Sequence, residues 1–151
     1  MSTENMELVR VTRDNWKSVK TLVASIFPVK YSEKFFVECL ENDLSQTIIV
    51  KNEAIAFVSV KPENFGSDVL YVRSLGVHPL FRETGIGTLL IEFVNKKCEE
   101  LKLNTIMLHV QISNKTAIKF YETRGFRLHK LIHKYYQRCE PADAYVMLKN
   151  R

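Results

Sequence analysis

The sequence predicts a mixed α/β fold, a sheet of six or seven strands with helices on both faces. Strand-like runs outnumber helical runs early in the chain and alternate with them later, the pattern of a layered fold. One strand-like run, Val69 to Val77, leads through a glycine-containing turn into a long amphipathic run, Thr88 to Leu101. The chain has 151 residues, 46% of them hydrophobic, which suits one domain, residues 1–151, with a sizeable core.

Met6 to Thr12 roughly alternates and reads as the first strand. Thr12 then caps a helix over Asp14 to Ile26, with Trp16, Val19, Leu22, Val23 and Ile26 on one face. Phe27-Pro28 ends it, because the residue before a proline disfavours helical dihedrals. Ser32 caps a second helix to Asn42, whose apolar stripe is Phe35, Phe36, Cys39 and Leu40. Thr47 to Val50 and Ala54 to Val60 form an antiparallel pair around an Asn52-Glu53 turn, and Pro62 to Gly66 is a loop. Thr105 to Val110 reads as a buried strand. Asn114 caps a short helix that ends before Gly125, a left-handed residue just past the helix. Phe126 to Tyr136 reads as a strand, and Tyr145 to Leu148 as the last. In such a sheet a ligand is expected at the carboxyl ends of the central strands.

Net charge is +5 and the pI about 9.1. The basic residues are scattered (Lys96-Lys97, Lys130, Lys134, Arg138), so nucleic acid is not expected as the main ligand. A polyanionic cofactor or an acidic substrate suits this surface. Cys39, Cys98 and Cys139 are widely spaced and lack metal-ligand or CxxC spacing, so no metal site is expected and a reducing compartment is the simplest reading. Met1 to Met6 is short and polar, unlike a signal peptide. No apolar run approaches the roughly 18 residues that span a bilayer. The expectation is a soluble protein of the cytoplasm, and also of the nucleus.

The richest stretch is Arg82-Glu83-Thr84-Gly85-Ile86-Gly87-Thr88. Two glycines let the backbone turn tightly between strand and helix. The N–H groups that follow are unpaired donors at a helix start, and the helix dipole makes that end attractive to an anion. Arg82 adds a cation with a planar donor fork. A dinucleotide fingerprint needs a third small residue where Leu90 stands, and a Walker loop needs a Gly-Lys-Ser/Thr that is absent. What remains, Arg-x-x-Gly-x-Gly ahead of a long amphipathic helix, resembles the pyrophosphate loop of the GNAT superfamily of acetyl-CoA-dependent acetyltransferases.

Three further stretches sharpen that resemblance. They are Ile26-Phe27-Pro28-Val29-Lys30-Tyr31, Leu108-His109-Val110-Gln111-Ile112-Ser113-Asn114, and Tyr135 to Ala144 with its Glu-Pro-Ala-Asp-Ala run. With the glycine turn they resemble, in the same order and over nearly the whole chain, the San-type catalytic subunits of the NatE N-terminal acetyltransferases. The resemblance implies a GNAT fold with acetyl-CoA as cofactor and coenzyme A as product. It implies acetyl transfer to the free α-amine of protein N-termini that are Met-first with a hydrophobic second residue.

Such transfer is direct attack of an amine on a thioester. The amine must lose a proton, and the leaving thiolate must be stabilised or protonated. An α-amine titrates near pH 7.7–8.0, against about 10.4 for a lysine amine, so a base acting at a distance through water suffices. By resemblance Tyr71 and His109 are the catalytic pair, relaying the amine proton through an ordered water, and Tyr121 lies near the sulfur as proton donor. Leu75, Gly76 and Val77 are implied to hold the pantetheine and thioester through backbone donors. Arg82, Glu83, Thr84, Gly85, Ile86, Gly87 and Thr88 would take the pyrophosphate. Asn114, Ala117, Phe120 and Tyr121 form the second cofactor segment. Phe27, Pro28, Val29, Tyr31, Tyr135 and Tyr136, with Gln137 and Arg138, match the peptide-binding walls.

Three positions depart from the family. Glu83 stands where a second basic residue is usual, and an acid beside phosphates weakens binding unless it points away. Arg73 replaces an apolar residue, and Cys139 an isoleucine; both bear on peptide selectivity. The residues alone leave other readings open. His109 reads equally as a hydrogen-bonded core histidine, Tyr71 and Tyr121 as packing, Asn114 as a plain helix cap, and Tyr135-Tyr136 as an exposed strand pair. Arg73 must find an internal carboxylate, water, or a substrate carboxylate. The alternatives for the whole chain are an acetyltransferase for lysine side chains or small amines, and a weakly active cofactor-binding subunit of a larger complex. Family members associate with such complexes, so the NatA complex and the ribosome are implied partners.

Overall fold

The computed structural model describes residues 6–63 and 67–151. Its strands are β1 (Val9–Arg10), β2 (Ser45–Val50), β3 (Glu53–Pro62), β4 (Val69–Val77), β5 (Thr105–Gln111), β6 (Arg127–Ile132) and β7 (Ala144–Asn150). Its helices are α1 (Trp16–Ile26), α2 (Glu33–Glu41), α3 (Ile86–Glu100) and α4 (Lys115–Glu122). The strands form one seven-stranded sheet in the order β1-β2-β3-β4-β5-β7-β6. β4 and β5 pair in parallel, whereas β5 with β7 and β7 with β6 are antiparallel, so the sheet is mixed as expected.

Several boundaries differ from the sequence reading, each for a local reason. β1 covers only Val9–Arg10, because the chain turns at Thr12, whose carbonyl accepts from the N–H groups of Asn15 and Trp16. Thr12 therefore does not cap α1; its hydroxyl accepts from the Asp14 N–H inside that turn, and the helix begins at Trp16. The β2–β3 turn sits at Lys51-Asn52, one residue earlier than expected. Both adopt positive φ, 50° and 65°, as a two-residue hairpin turn of matching twist demands. β2 starts at Ser45, and two of its polar side chains are satisfied across the pair. The Ser45 and Ser59 hydroxyls lie 2.8 Å apart, and Thr47 donates to the Ala56 carbonyl at 2.7 Å. α3 starts at Ile86 instead of Thr88, and a short 3-10 turn, Pro79–Phe81, precedes it. β6 stops at Ile132, well short of Tyr136. Met1 to Asn5 of the leading segment and Asn64-Phe65-Gly66 of the loop lie outside the described residues.

Other expectations hold. Ser32 caps α2 by accepting from the Phe35 N–H at 3.2 Å. Asn114 caps α4 by accepting from the Ala117 N–H at 3.2 Å. Gly125 closes α4 at φ +95°, its N–H bonded to the Glu122 carbonyl and the Phe126 N–H to that of Tyr121. That paired closure needs a left-handed residue where glycine stands.

The described chain falls into two compact units. One holds the chain through Val60 together with Arg73–Lys97; the other holds Lys61–Val72 and Cys98–Arg151. The first unit is built on the buried faces of α1 and α2, where Val19, Leu22, Val23, Phe35, Phe36 and Cys39 cluster with Val11, Ala54 and Phe57. Each such large side chain contributes about 1.5–3 kcal/mol by leaving water. In the second unit β5 buries Ile106, Leu108 and Val110 on one face and turns Met107, His109 and Gln111 to the other. No described helix is long and apolar enough to cross a membrane.

Candidate active site

In the second unit two of the candidate side chains, Tyr71 and Tyr135, meet His109 on its face of β5. The Tyr71 hydroxyl, from β4, lies 2.8 Å from His109 Nδ1. Parallel pairing of β4 with β5 runs from Val69↔Thr105 to Tyr71↔Met107, which sets Tyr71 two residues back from His109. Tyr135 stacks on the imidazole, 4.2 Å between centroids and 9° from coplanar, and its hydroxyl lies 3.4 Å from that of Tyr71. Burial lowers the His109 pKa first, and the charge of Lys130 lowers it further. The imidazole is thus neutral at neutral pH, with Nδ1 tied to a phenol. Such an arrangement can take up a proton and pass it along a short chain of hydroxyls.

Tyr135 reaches this face from a loop that also carries Tyr136, which corrects their reading as a strand pair. After Ile132 the chain turns at Lys134, whose φ is +55°. Asp143 clasps that turn: its carboxylate accepts from the Lys134 N–H at 2.9 Å and lies 3.1 Å from His133 Nδ1. Tyr136 N–H donates to the Ala142 carbonyl, and Gln111 Nε2 donates to the Pro141 carbonyl at 2.8 Å. The Cys139 thiol lies 3.4 Å from the same amide. Tyr136 is 9% exposed and Tyr135 36%, so one tyrosine anchors the loop while the other meets solvent. Gln137 and Arg138 continue this segment and are exposed. The sequence reading missed Gln111 and Asp143. Gln111 stands two residues after His109, hence on the same strand face, and Asp143 belongs to the Glu-Pro-Ala-Asp-Ala run.

On α4 the spacing of Ala117, Phe120 and Tyr121 follows a helix face. Tyr121 is 8% exposed and packs edge-on against Phe120 and Phe126. Burial raises its phenol pKa far above the ordinary value, so it keeps its proton. Asn114 is exposed, and its side chain serves as the helix cap.

In the first unit the glycine turn has an asymmetric geometry. Gly85 adopts φ +88° and Glu83 φ +62°, while Gly87 lies inside the first turn of α3. Leu89 N–H bonds the Gly85 carbonyl, so the N–H groups of Ile86 and Gly87 precede the first helical bond and have no partner within the helix. Arg82 Nε donates to the Val77 carbonyl at 3.0 Å, fixing its guanidinium at the end of β4. Thr84 Oγ1 bonds the Phe81 carbonyl and tightens the turn. Glu83 is exposed. This donor set fits a phosphate: two backbone N–H groups at a helix start, a held guanidinium, and no side chain at Gly85 or Gly87.

The aromatic wall of the first unit is tightly determined. A Cβ on Gly76 would meet the Phe27 ring at 2.7 Å and Ile26 Cδ1 at 2.9 Å, so only glycine lets Phe27 lie against β4. Tyr31 meets Phe27 edge-on and stacks on Phe35 at 4.3 Å, and its hydroxyl donates to the Arg73 carbonyl at 2.9 Å. Arg73 Nη1 donates to Glu38 Oε2 at 2.7 Å, and its guanidinium lies 4.5 Å over the Phe35 ring. Pro28 and Val29 are exposed beside this wall, and Leu75 and Val77 are half-buried in β4. Among the described residues no cluster of His, Cys, Asp or Glu is placed to hold a metal ion.

The family model for the acetyltransferase (GNAT) family matches residues 16–126. The chain is 36% identical over 152 residues to the probable N-acetyltransferase san of Drosophila melanogaster, covering 99% of this chain and 83% of that protein. It is 38% identical over 148 residues to N-alpha-acetyltransferase 50 of Danio rerio, covering 96% and 88%. Its fold is similar to that of Arabidopsis thaliana Naa50 in complex with the bisubstrate analogue CoA-Ac-MVNAL, with a TM-score of 0.84, 32% identity, and 95% and 97% of the two chains covered.

Proposed function

The chain belongs to the acetyltransferase (GNAT) family, and on that premise we propose that it moves an acetyl group from acetyl-CoA to the free α-amine of protein N-termini. One observation carries the reaction class: 38% identity to an N-alpha-acetyltransferase along nearly all of this chain. The Tyr71–His109 pair supplies the chemistry that such a reaction needs. When bound, the cofactor provides an acetyl thioester activated toward amines. Backbone N–H groups of Ile86 and Gly87, with Arg82, would hold its pyrophosphate; Asn114, Ala117 and Phe120 line the second cofactor segment. Neutral His109 receives the amine proton through the Tyr71 hydroxyl and water, and the Tyr121 phenol is the proton donor for the leaving group. Phe27, Pro28, Val29, Tyr31, Tyr135, Tyr136, Gln137, Arg138 and Cys139 are assigned to the acceptor peptide, with a Met-first, hydrophobic-second terminus as the preferred one.

Residues 1–151 are proposed to serve this reaction as one catalytic domain, since the relatives match along 96–99% of the chain. A cytoplasmic location, with the nucleus as a second, and association with the NatA complex and the ribosome follow the family resemblance. The test uses acetyl-CoA with a free Met-Leu peptide and with its N-terminally blocked, lysine-containing version. Turnover is expected on the free peptide alone. Equal turnover on the blocked peptide assigns the chain to lysine acetylation instead, and the absence of turnover on both makes it a cofactor-binding subunit.

A further inference from the structure

We propose that Lys130 is a positioning residue of the reaction: an exposed cation two strands from His109, in the same cross-strand row, that adds to burial in favouring the neutral imidazole. This rests on the reading of His109 as the base. The placement comes from strand register. His109 on β5 pairs directly with Val146 on β7, and Val146 pairs directly with Lys130 on β6. Directly opposed residues of antiparallel strands point to the same face, so His109, Val146 and Lys130 form one row on one side of the sheet. Two strand spacings separate the ends of that row by roughly 10 Å.

The row depends on an irregularity. Leu128 pairs with Met147, but Lys130, not His129, pairs with Val146, because the register shifts between them. His129 is the extra residue of a bulge. Without the bulge a histidine would stand opposite Val146, and the cation would be turned to the other face. Bulges re-aim side chains in this way.

Among the described residues, the side chains that meet the imidazole from the neighbouring elements bring no opposing charge. Tyr71 from β4 and Tyr135 from the loop present neutral phenols, Val146 from β7 is apolar, and Gln111 on β5 is a neutral amide. Of the two carboxylates in the loop, Asp143 is engaged by His133 and the Lys134 N–H, and Glu140 is exposed. Arg127 on β6 stands on the same face one row away, opposite Leu148, and has the same sign as Lys130. The lowered His109 pKa, with burial first and Lys130 second, agrees with this layout. A cation on this face also disfavours the ammonium form of an incoming amine, which favours the neutral nucleophile.

Two readouts test the proposal. The first is the imidazole titration of the ligand-free chain by NMR, with the His109 signal assigned by its loss in His109→Gln. At roughly 10 Å, a unit charge in a medium between water and a protein surface shifts a pKa by about 0.3–1 unit. Lys130→Gln should raise the His109 midpoint by that amount, Lys130→Arg should leave it in place, and 1 M salt should move the wild type toward Lys130→Gln. The second readout is the acid limb of kcat/KM on a free N-terminal peptide, which should move with the midpoint. An unchanged midpoint in Lys130→Gln overturns the proposal. A midpoint that moves while the limb stays overturns His109 as the base, and the proposal with it.

Discussion

His109 shows how one residue's surroundings set its chemistry. Burial and then Lys130 push its pKa below the ordinary 6.5, so the folded chain binds fewer protons there than the unfolded chain. The stability it contributes is full above that ordinary value and is lost as pH falls through the lower folded one. Activity follows the same sign: the acid limb of kcat/KM should lie below 6.5. His109→Ala should abolish that limb, and His109→Ala and Tyr71→Phe should each lower turnover by about 10²–10⁴-fold. Calorimetric affinity for acetyl-CoA should survive in both, and wild-type turnover in both would remove the relay. Arg73 is a second case. Of the three partners open to it, the structure supplies the internal carboxylate, Glu38, with Phe35 beneath the guanidinium. An arginine held in this way must leave Glu38 to read a peptide. Glu38→Gln should therefore raise kcat/KM for peptides with Asp or Glu second, relative to Met-Leu peptides, and adding Arg73→Met should cancel the rise. Roughly tenfold is expected, the low end of about 1.5–3 kcal/mol for a charged hydrogen bond, because the pair is partly exposed. Profiles that superimpose across wild type and both variants would exclude Arg73 from substrate recognition.

At the scale of elements, the glycine turn and the 133–143 loop do different work with similar means. In the turn, Gly85 and Glu83 carry the positive φ values, and Gly87 belongs to α3. Gly87 is thus not needed for its dihedral; what it offers is an open surface beside backbone donors. Gly87→Glu would raise helix propensity by about 0.5–1 kcal/mol, so the variant should fold. Its side chain would place bulk and negative charge where a phosphate approaches. Acetyl-CoA affinity by calorimetry should fall at least tenfold in a variant with wild-type circular dichroism, and unchanged affinity would move the cofactor elsewhere. In the loop, Asp143 and Gln111 hold a segment that has no ladder of its own, and so bring Tyr135 onto His109. Backbone groups that leave a sheet must find other partners, and these two side chains supply them.

At the scale of the molecule, the seven strands in one mixed sheet and the four helices of the described residues match what period and punctuation predict. Elements with strong local signals were legible along the chain. β4 was read to its ends, α2 from its serine cap, and α4 from its asparagine cap and left-handed glycine. Candidate residues were legible where a motif names them, as in the glycine turn, and where a family resemblance aligned them, as with Tyr71 and His109. Features made by distant partners were not legible. β6 reads as apolar enough to continue to Tyr136, yet it ends at Ile132 because Asp143, nine residues after Lys134, takes that N–H. Glu38 meets Arg73 across 35 positions, and Lys130 shares a row with His109 only through the register of β7 and one bulged residue. The sequence by itself determined most of the strands and helices and the glycine turn that opens the long helix, because alternation, caps and positive-φ residues act over a few neighbouring residues. Only the tertiary structure decided which side chains meet, what charge surrounds the imidazole and where the tyrosine loop lies, because those depend on strand register and on hydrogen bonds between residues far apart in the chain.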